Sequence, residues 1–205
     1  MLDVRMKAMS DVKNILLNDE SQKGTFFAST IASLKNWNQK GLHFQRFFTK
    51  EGIHPYDEIE WERRTAKITS AKGETIFEQK DVEVPKFWSQ TATDIVAEKY
   101  FKGHLGKAGR ETSVKEVINR VADTITDWVT SQNYFASDRD VKVFNEELKY
   151  LLINQFAAFN SPVWFNVGVE KKPQCSACFI LSIEDSKESI SEWYRTEMFI
   201  FSGGA

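Results

Sequence analysis

Hydrophobic positions change their period along the chain, and the changes divide it into elements. Val12, Ile15 and Leu16 recur at helical spacing behind Ser10-Asp11, a pair suited to cap a short helix. Asn18 to Gly24 reads as a linker, and the first 40 or so residues are otherwise polar and rich in Ser, Asn and Lys, which predicts a mobile extension. From Gly52 to Pro85 the period shortens. Ile59, Trp61 and Ile68 are interleaved with charged residues, and Thr75-Ile76-Phe77 follows the turn candidate Ala71-Lys72-Gly73, so a β-hairpin is expected. Helical spacing then returns. Ser113 and Glu116 form a capping box ahead of Val117, Val121, Ile125 and Trp128, which share one helix face. A second amphipathic helix starts near Ser137-Asp138 and carries Val141, Phe144, Leu148, Leu151 and Leu152, so the two helices should pack on one another.

Beyond Phe159 the pattern becomes irregular. Asn160 to Asn166 reads as a proline-containing loop, and a second loop surrounds Lys171-Lys172-Pro173. Ala177 to Leu181 is short and apolar, as a strand would be. Asp185 is placed to open another helix, with Glu188 at the capping-box position and Ile190, Trp193, Tyr194 and Met198 behind it. The sequence then passes into the glycine-rich turn Phe201-Ser202-Gly203-Gly204-Ala205, where a domain is not expected to end. The divisions are a poorly defined extension over 1–40, a hairpin and helical domain over 41–158, and a new domain beginning at 159.

Composition narrows the function classes. With 205 residues, 41% hydrophobic and 27% charged, the chain can bury a sizeable core. Lys and Arg number 27 against 29 Asp and Glu, a formal charge of -2, so neither nucleic acid nor an anionic membrane is an expected partner. No apolar run approaches the roughly 18–20 residues of a bilayer span, and the N-terminus lacks a signal core, so a cytoplasmic location is expected.

The chemistry-bearing candidates are few. Cys175 and Cys178 are the only cysteines, and their Cys-x-x-Cys spacing fits half a zinc site, a thioredoxin-like dithiol, or two buried apolar thiols. A closed zinc site needs four ligands, and His43, His54 and His104 are scattered without paired spacing, so no metal is expected. A thioredoxin-type pair opens a helix, whereas Cys178 leads into Phe179-Ile180-Leu181. Gly103, Gly106 and Gly109 suggest a phosphate loop but lack the Lys-Ser/Thr ending. Ser161 either bonds its own backbone or accepts a phosphate, and Asp185 either caps a helix or meets a ligand at its amides.

Taken together, particular segments are more specific than any one of them. His54-Pro55-Tyr56-Asp57 with Glu60 to Arg64, then Phe159 to Gly168, then Ser176 to Ile180, then Asp185-Ser186 and Trp193-Tyr194, resemble the N-terminal part of the adenosylcobalamin (vitamin B12)-dependent class II ribonucleotide reductases. The resemblance runs from about Phe47 to Ala205; residues 1–40 lie outside it and show no ATP-cone signature. It implies a mixed α+β and α/β chain: a mainly helical N-terminal region with a β-hairpin, followed by the first elements of an incomplete ten-stranded α/β barrel.

The resemblance also implies roles. Cys178 matches the strand cysteine that, with a partner cysteine, reduces the 2′ position of the substrate ribose and becomes a disulfide. Ser161 matches a contact to the substrate diphosphate, Ala177 supplies backbone near the ribose, and Asp185, Ser186 and Lys187 match the start of a site for a deoxynucleoside triphosphate effector. Cys175 stands where the family often has another residue type and receives no role. The family implies adenosylcobalamin, bound mostly by residues beyond this sequence, a ribonucleotide substrate, favouring diphosphates, a homodimer, and a thioredoxin-type reductant. The finger-loop radical cysteine, the partner cysteine and the C-terminal shuttle cysteines are not in the sequence, so these 205 residues are expected to be inactive alone. Two other readings stay open: a non-catalytic nucleotide- or partner-binding domain of the same fold, and a small dithiol oxidoreductase using Cys175 and Cys178.

Overall fold

The computed structural model describes residues 41–203. The chain divides into two compact units, Met1–Leu42 and His43–Ala205, and the second is described below. The helix expected around residues 12–16 and the linker at 18–24 lie outside the described residues, as do 204 and 205.

The hairpin forms where alternation placed it. β1 (Trp61–Thr69) pairs antiparallel with β2 (Thr75–Pro85) from Trp61 opposite Pro85 to Thr69 opposite Thr75. Ser70 accepts from the backbone N–H groups of Lys72 and Glu74, both at 3.2 Å, and Gly73 supplies the left-handed residue (φ +84°) that closes the turn. Between Arg64 and Ala66 the register shifts, and Asp81 on β2 takes φ +58° there, a bulge that twists the ribbon. Ala66, Val82 and Val84 then face inward, each fully buried.

Among the described residues five α-helices and one π turn follow this ribbon along the chain. α1 (Gln90–Ile95) is capped by Ser89, whose hydroxyl accepts from Ala92 N at 3.0 Å, and runs into a π turn over Val96–Tyr100. The periodicity had not singled out this stretch. Arg64 ties it to the hairpin by donating to the Trp88 carbonyl (2.7 Å), Thr93 Oγ1 (3.1 Å) and the Lys86 carbonyl (2.9 Å). α2 (Val114–Ser131) begins with the expected capping box: Ser113 accepts from Lys115 N at 3.2 Å, and Glu116 accepts from Ser113 N at 3.0 Å. α3 (Asp138–Ile153) is capped by Ser137 and packs on α2 as expected. Lys149 of α3 is ion-paired with Asp123 of α2 at 2.7 Å, while Asn145 donates to Asp123 and Thr126. The core joins Ala66, Val82 and Val84 to Val114, Val117 and Ile118 of α2 and Leu152 and Ile153 of α3.

Three local expectations are corrected. Asn160–Asn166 is not a loop: residues Ser161–Asn166 form a short helix, α4, because Asn160 Oδ1 accepts from Val163 N at 3.3 Å and Pro162 presets φ in the first turn. Ala177–Leu181 is not a strand. It has no hydrogen-bonded neighbour among the described residues, Ile180 is fully exposed, and an unpaired strand has no ladder to hold it. The last helix, α5 (Lys187–Ser202), is capped by Ser186 rather than Asp185: Ser186 Oγ accepts from Ser189 N at 3.2 Å, and Glu188 sits in the first turn without closing a box. The described residues thus form a mixed α/β unit with one two-stranded hairpin.

Candidate functional site

The segment from Phe159 to Ser186 carries most of the candidate residues, and a guanidinium holds its first helix, α4, to α2. Arg120, on the inner side of α2, donates from Nη1 to the carbonyls of Trp164 (3.1 Å) and Val167 (2.8 Å), and from Nη2 to the Tyr100 carbonyl (3.2 Å). Its Nε and Nη2 meet the Glu111 carboxylate at 2.8 and 3.3 Å. Both side chains are about nine-tenths buried. A planar five-donor fork can satisfy a carboxylate and several carbonyls at once, which an ammonium cannot. Gly168 completes the approach of α4 to α2. At φ +73° it passes so close that a Cβ there would lie 2.5 Å from Arg120 Cγ and 3.0 Å from the Arg120 carbonyl.

Within this frame Ser161 is the first residue of α4, half-buried, with its Oγ 3.0 Å from the Tyr100 hydroxyl. Asn160, just before it, donates to the Cys175 carbonyl at 3.0 Å, so the helix start and the cysteine loop are fastened together. Asn166, at the other end of α4, donates to the carbonyls of Gln174 and Gly203, both at 3.0 Å, bringing the C-terminus of α5 to the same place. Neither asparagine is marked as a tie by its sequence context, since each reaches its carbonyl partners across a loop.

The two thiols differ. Cys175 is half-buried against the cluster of Val121, Val163 and Val167, and that burial pushes its thiol pKa up. Cys178 and Ala177 are exposed, and both cysteines are free. The raised pKa lowers the share of Cys175 present as thiolate, the nucleophilic form. Asp185 and Lys187 are exposed at the start of α5, and the Ser186 hydroxyl is engaged in its cap. The Gly103–Gly109 loop is a chain of tight turns, closed by Glu111 N on the Lys102 carbonyl at 2.9 Å and by Arg110 on the carbonyls of Phe101 and Gly103.

The earlier segments of the resemblance prove to be structural. His54 Nδ1 accepts from Tyr56 N at 3.2 Å, and the buried Tyr56 hydroxyl donates to Asn119 Oδ1 at 3.1 Å. Trp61 Nε1 donates to the Tyr56 carbonyl at 2.9 Å. Burial, with the nearby Asp123 charge, raises the Tyr56 pKa far above its ordinary value. These residues plug the hairpin into the helices.

Among the described residues no three His, Cys, Asp or Glu side chains gather as a metal site, and no helix is long and apolar enough to cross a membrane.

This sequence matches the profile of the family described as class II vitamin B12-dependent ribonucleotide reductase over residues 62–105 and 103–155. Among individual proteins, it is 49% identical over 167 residues to the vitamin B12-dependent ribonucleotide reductase of Streptomyces coelicolor, covering 81% of this chain and 17% of that one. It is 47% identical over 172 residues to that of Streptomyces avermitilis (83% and 18%), and 36% identical over 217 residues to that of Rhodopirellula baltica (91% and 21%). An alignment reaching 91% of the chain cannot stop short of Ser161 and Cys178. The chain is therefore related to the class II ribonucleotide reductases and corresponds to their N-terminal part, spanning 17–21% of the length of these relatives.

The vitamin B12 of those names needs a site large and polar enough to hold a corrinoid. A cavity of about 450 Å³ lies between α1, the π turn, α2 and the end of α3, lined by Trp88, Val96, Tyr100, Val117, Leu152 and Trp164 among others. Its walls are mostly apolar, none of the three histidines lines it, and a corrinoid with its nucleotide loop is much larger. The described residues do not fit that cofactor.

Proposed function

We propose that this chain forms the N-terminal part of an adenosylcobalamin-dependent ribonucleoside-diphosphate reductase, which converts ribonucleotides to 2′-deoxyribonucleotides for DNA synthesis. The observation that carries the reading is the 49% identity over 167 residues to a vitamin B12-dependent ribonucleotide reductase, in a chain whose Cys178 is an exposed thiol. Cys178 acts as one of two reducing thiols: the ribose 2′-hydroxyl leaves as water, C2′ takes a hydrogen in its place, and the two thiols, having given up both hydrogens, become one disulfide. The partner thiol and most of the cofactor site are supplied by residues beyond these 205. Ser161 contacts the substrate diphosphate, and Ala177 lends backbone beside the ribose. Asp185, Ser186 and Lys187 belong to a deoxynucleoside triphosphate effector site in a cytoplasmic homodimer that a thioredoxin-type reductant restores by thiol–disulfide exchange. The half-buried position of Cys175, packed on Val121, Val163 and Val167, supports leaving it without a role.

The test is dithiol-dependent turnover in the reductase that contains this segment. Cys178→Ser should abolish it, and Cys175→Ser should leave substantial activity. Equal loss from both would overturn the assignment. Full activity in Cys178→Ser would favour a binding domain without chemistry of its own.

A further inference from the structure

Tyr100 and Ser161 are 61 residues apart in sequence, yet their hydroxyl oxygens lie 3.0 Å apart, and the geometry around them is closely determined. The π turn over Val96–Tyr100, closed by Phe101 N on the Val96 carbonyl at 3.1 Å, inserts a residue into the helical register and re-aims the side chain at its end. The Tyr100 ring stacks on Phe165 of α4, centroids 5.4 Å apart and planes at 26°, and tilts against Trp164. Arg120 grips the Tyr100 carbonyl on one side and the Trp164 and Val167 carbonyls on the other. One guanidinium thus sets the spacing between the element that carries the phenol and the helix that carries the serine.

Distance alone permits either hydroxyl to donate, and acidity decides between them. A phenol, with a pKa near 10, is a stronger donor than an aliphatic alcohol, and the alcohol oxygen is the better acceptor. With Tyr100 donating, Ser161 keeps its own proton for a second partner, and that proton is a better donor because its oxygen is already accepting. With the polarity reversed, the serine proton would be spent on the tyrosine.

We propose that Tyr100 is a positioning residue for the substrate phosphate: its phenol donates to Ser161 Oγ, fixes the serine rotamer, and turns the serine proton toward a phosphate oxygen of the nucleotide. This rests on the reading of Ser161 as a diphosphate contact. Tyr100 itself does not touch the reacting atoms.

The test is steady-state kinetics of the reductase containing this segment, with cytidine diphosphate as substrate and inorganic pyrophosphate as competing ligand. The variants are Tyr100→Phe, Ser161→Ala and the double variant. Phenylalanine keeps the stack on Phe165 and removes only the hydroxyl. Tyr100→Phe should raise KM about two- to tenfold with kcat nearly unchanged, and should weaken pyrophosphate inhibition by the same factor. In the Ser161→Ala background it should add nothing, since its effect passes through that serine. Additive effects, or an unchanged KM in Tyr100→Phe where Ser161→Ala raises it, would overturn the role of Tyr100. An unchanged KM in Ser161→Ala would overturn the serine reading, and this proposal with it. A fall in melting temperature for Tyr100→Phe with KM unmoved would assign the hydroxyl to folding alone.

Discussion

Arg120→Met is the substitution through which the frame of the site is most directly read. Arg120 and Glu111 expose only 10% and 11% of their side chains, and the pair is made through two N–H···O contacts at 2.8 and 3.3 Å. Removing one partner of a buried pair costs about 3–5 kcal/mol, because the remaining charge is left in a poorly hydrated place. Glu111 retains the Lys102 backbone N–H at 2.6 Å, which argues for the lower part of that range. The carbonyls of Tyr100, Trp164 and Val167 lose their donor as well, and that argues for the upper part. For a unit of this size, each kcal/mol shifts the midpoint by about 2–4 °C, so the chain should melt roughly 6–20 °C lower. The assay is thermal unfolding followed by circular dichroism for Arg120→Met, Glu111→Gln and the double variant. The double variant should be less destabilised than the sum of the two by about 1–3 kcal/mol, since neutralising Glu111 removes the stranded charge. A midpoint within 2 °C of the parent, or strict additivity, would refute the argument that this pair holds α4 and the π turn to α2.

Two further outcomes follow from contacts elsewhere. Glu147 accepts from the backbone N–H groups of Phe47, Phe48 and Thr49 and from Thr49 Oγ1 at 2.6 Å; burial alone would raise its pKa, but those donors outweigh it and hold the carboxyl below its ordinary value. A depressed folded pKa gives stability that is complete above the unfolded value of about 4.3 and is lost as pH falls through the folded value. Glu147→Gln should therefore flatten the acid limb of the stability curve and speed hydrogen exchange at the Phe48 and Thr49 amides; an unchanged acid limb would count against it. Gly168→Ala should cost about 2–4 kcal/mol, combining a left-handed φ of +73° with a contact of 2.5 Å to Arg120 Cγ, whereas Gly52→Ala, at φ +80° with open space around it, should cost only about 1–2 kcal/mol. Equal losses in urea unfolding would show that the close approach of Gly168 is relieved at no cost.

What could be read from the sequence was local in origin. The turn at Ala71-Lys72-Gly73, the capping box of Ser113 and Glu116, and the two long helices rest on residues within a few positions of one another, and all are present. The helix at Ser161–Asn166 was misread because Asn and Pro mark loops as readily as they mark the first turn of a helix. The strand expected at Ala177–Leu181 depended on a partner, which apolar composition cannot supply. On α3 the periodicity chose Leu152, which is buried, and Val141, Phe144, Leu148 and Leu151, which are half-buried, while Asp140, Glu146 and Lys149 are buried there. Each of those charges is matched from a distant segment: Asp140 by the Phe44 amide, Glu146 by Arg46, and Lys149 by Asp123. A hydrophobic pattern has no means of registering a buried ion whose partner lies so far along the chain.

The same distinction runs through the candidate site. His54, Tyr56, Trp61 and Arg64 helped identify the chain, yet in the structure they hold the hairpin against the helices and expose no chemistry. Cys178, Ala177, Asp185 and Lys187 are exposed, so nothing in their own packing requires those residue types. Between these sets stand Arg120, Asn160 and Asn166, which fasten α4, the cysteine loop and the end of α5 through backbone carbonyls. Contacts of that kind demand a donor of the right reach: Asn160 and Asn166 stand inside the Phe159–Gly168 segment without their role as ties being visible there, and Arg120 stands in none of the quoted segments. A substitution at Arg120 would consequently displace Ser161 and Tyr100 together while leaving every recognisable motif intact.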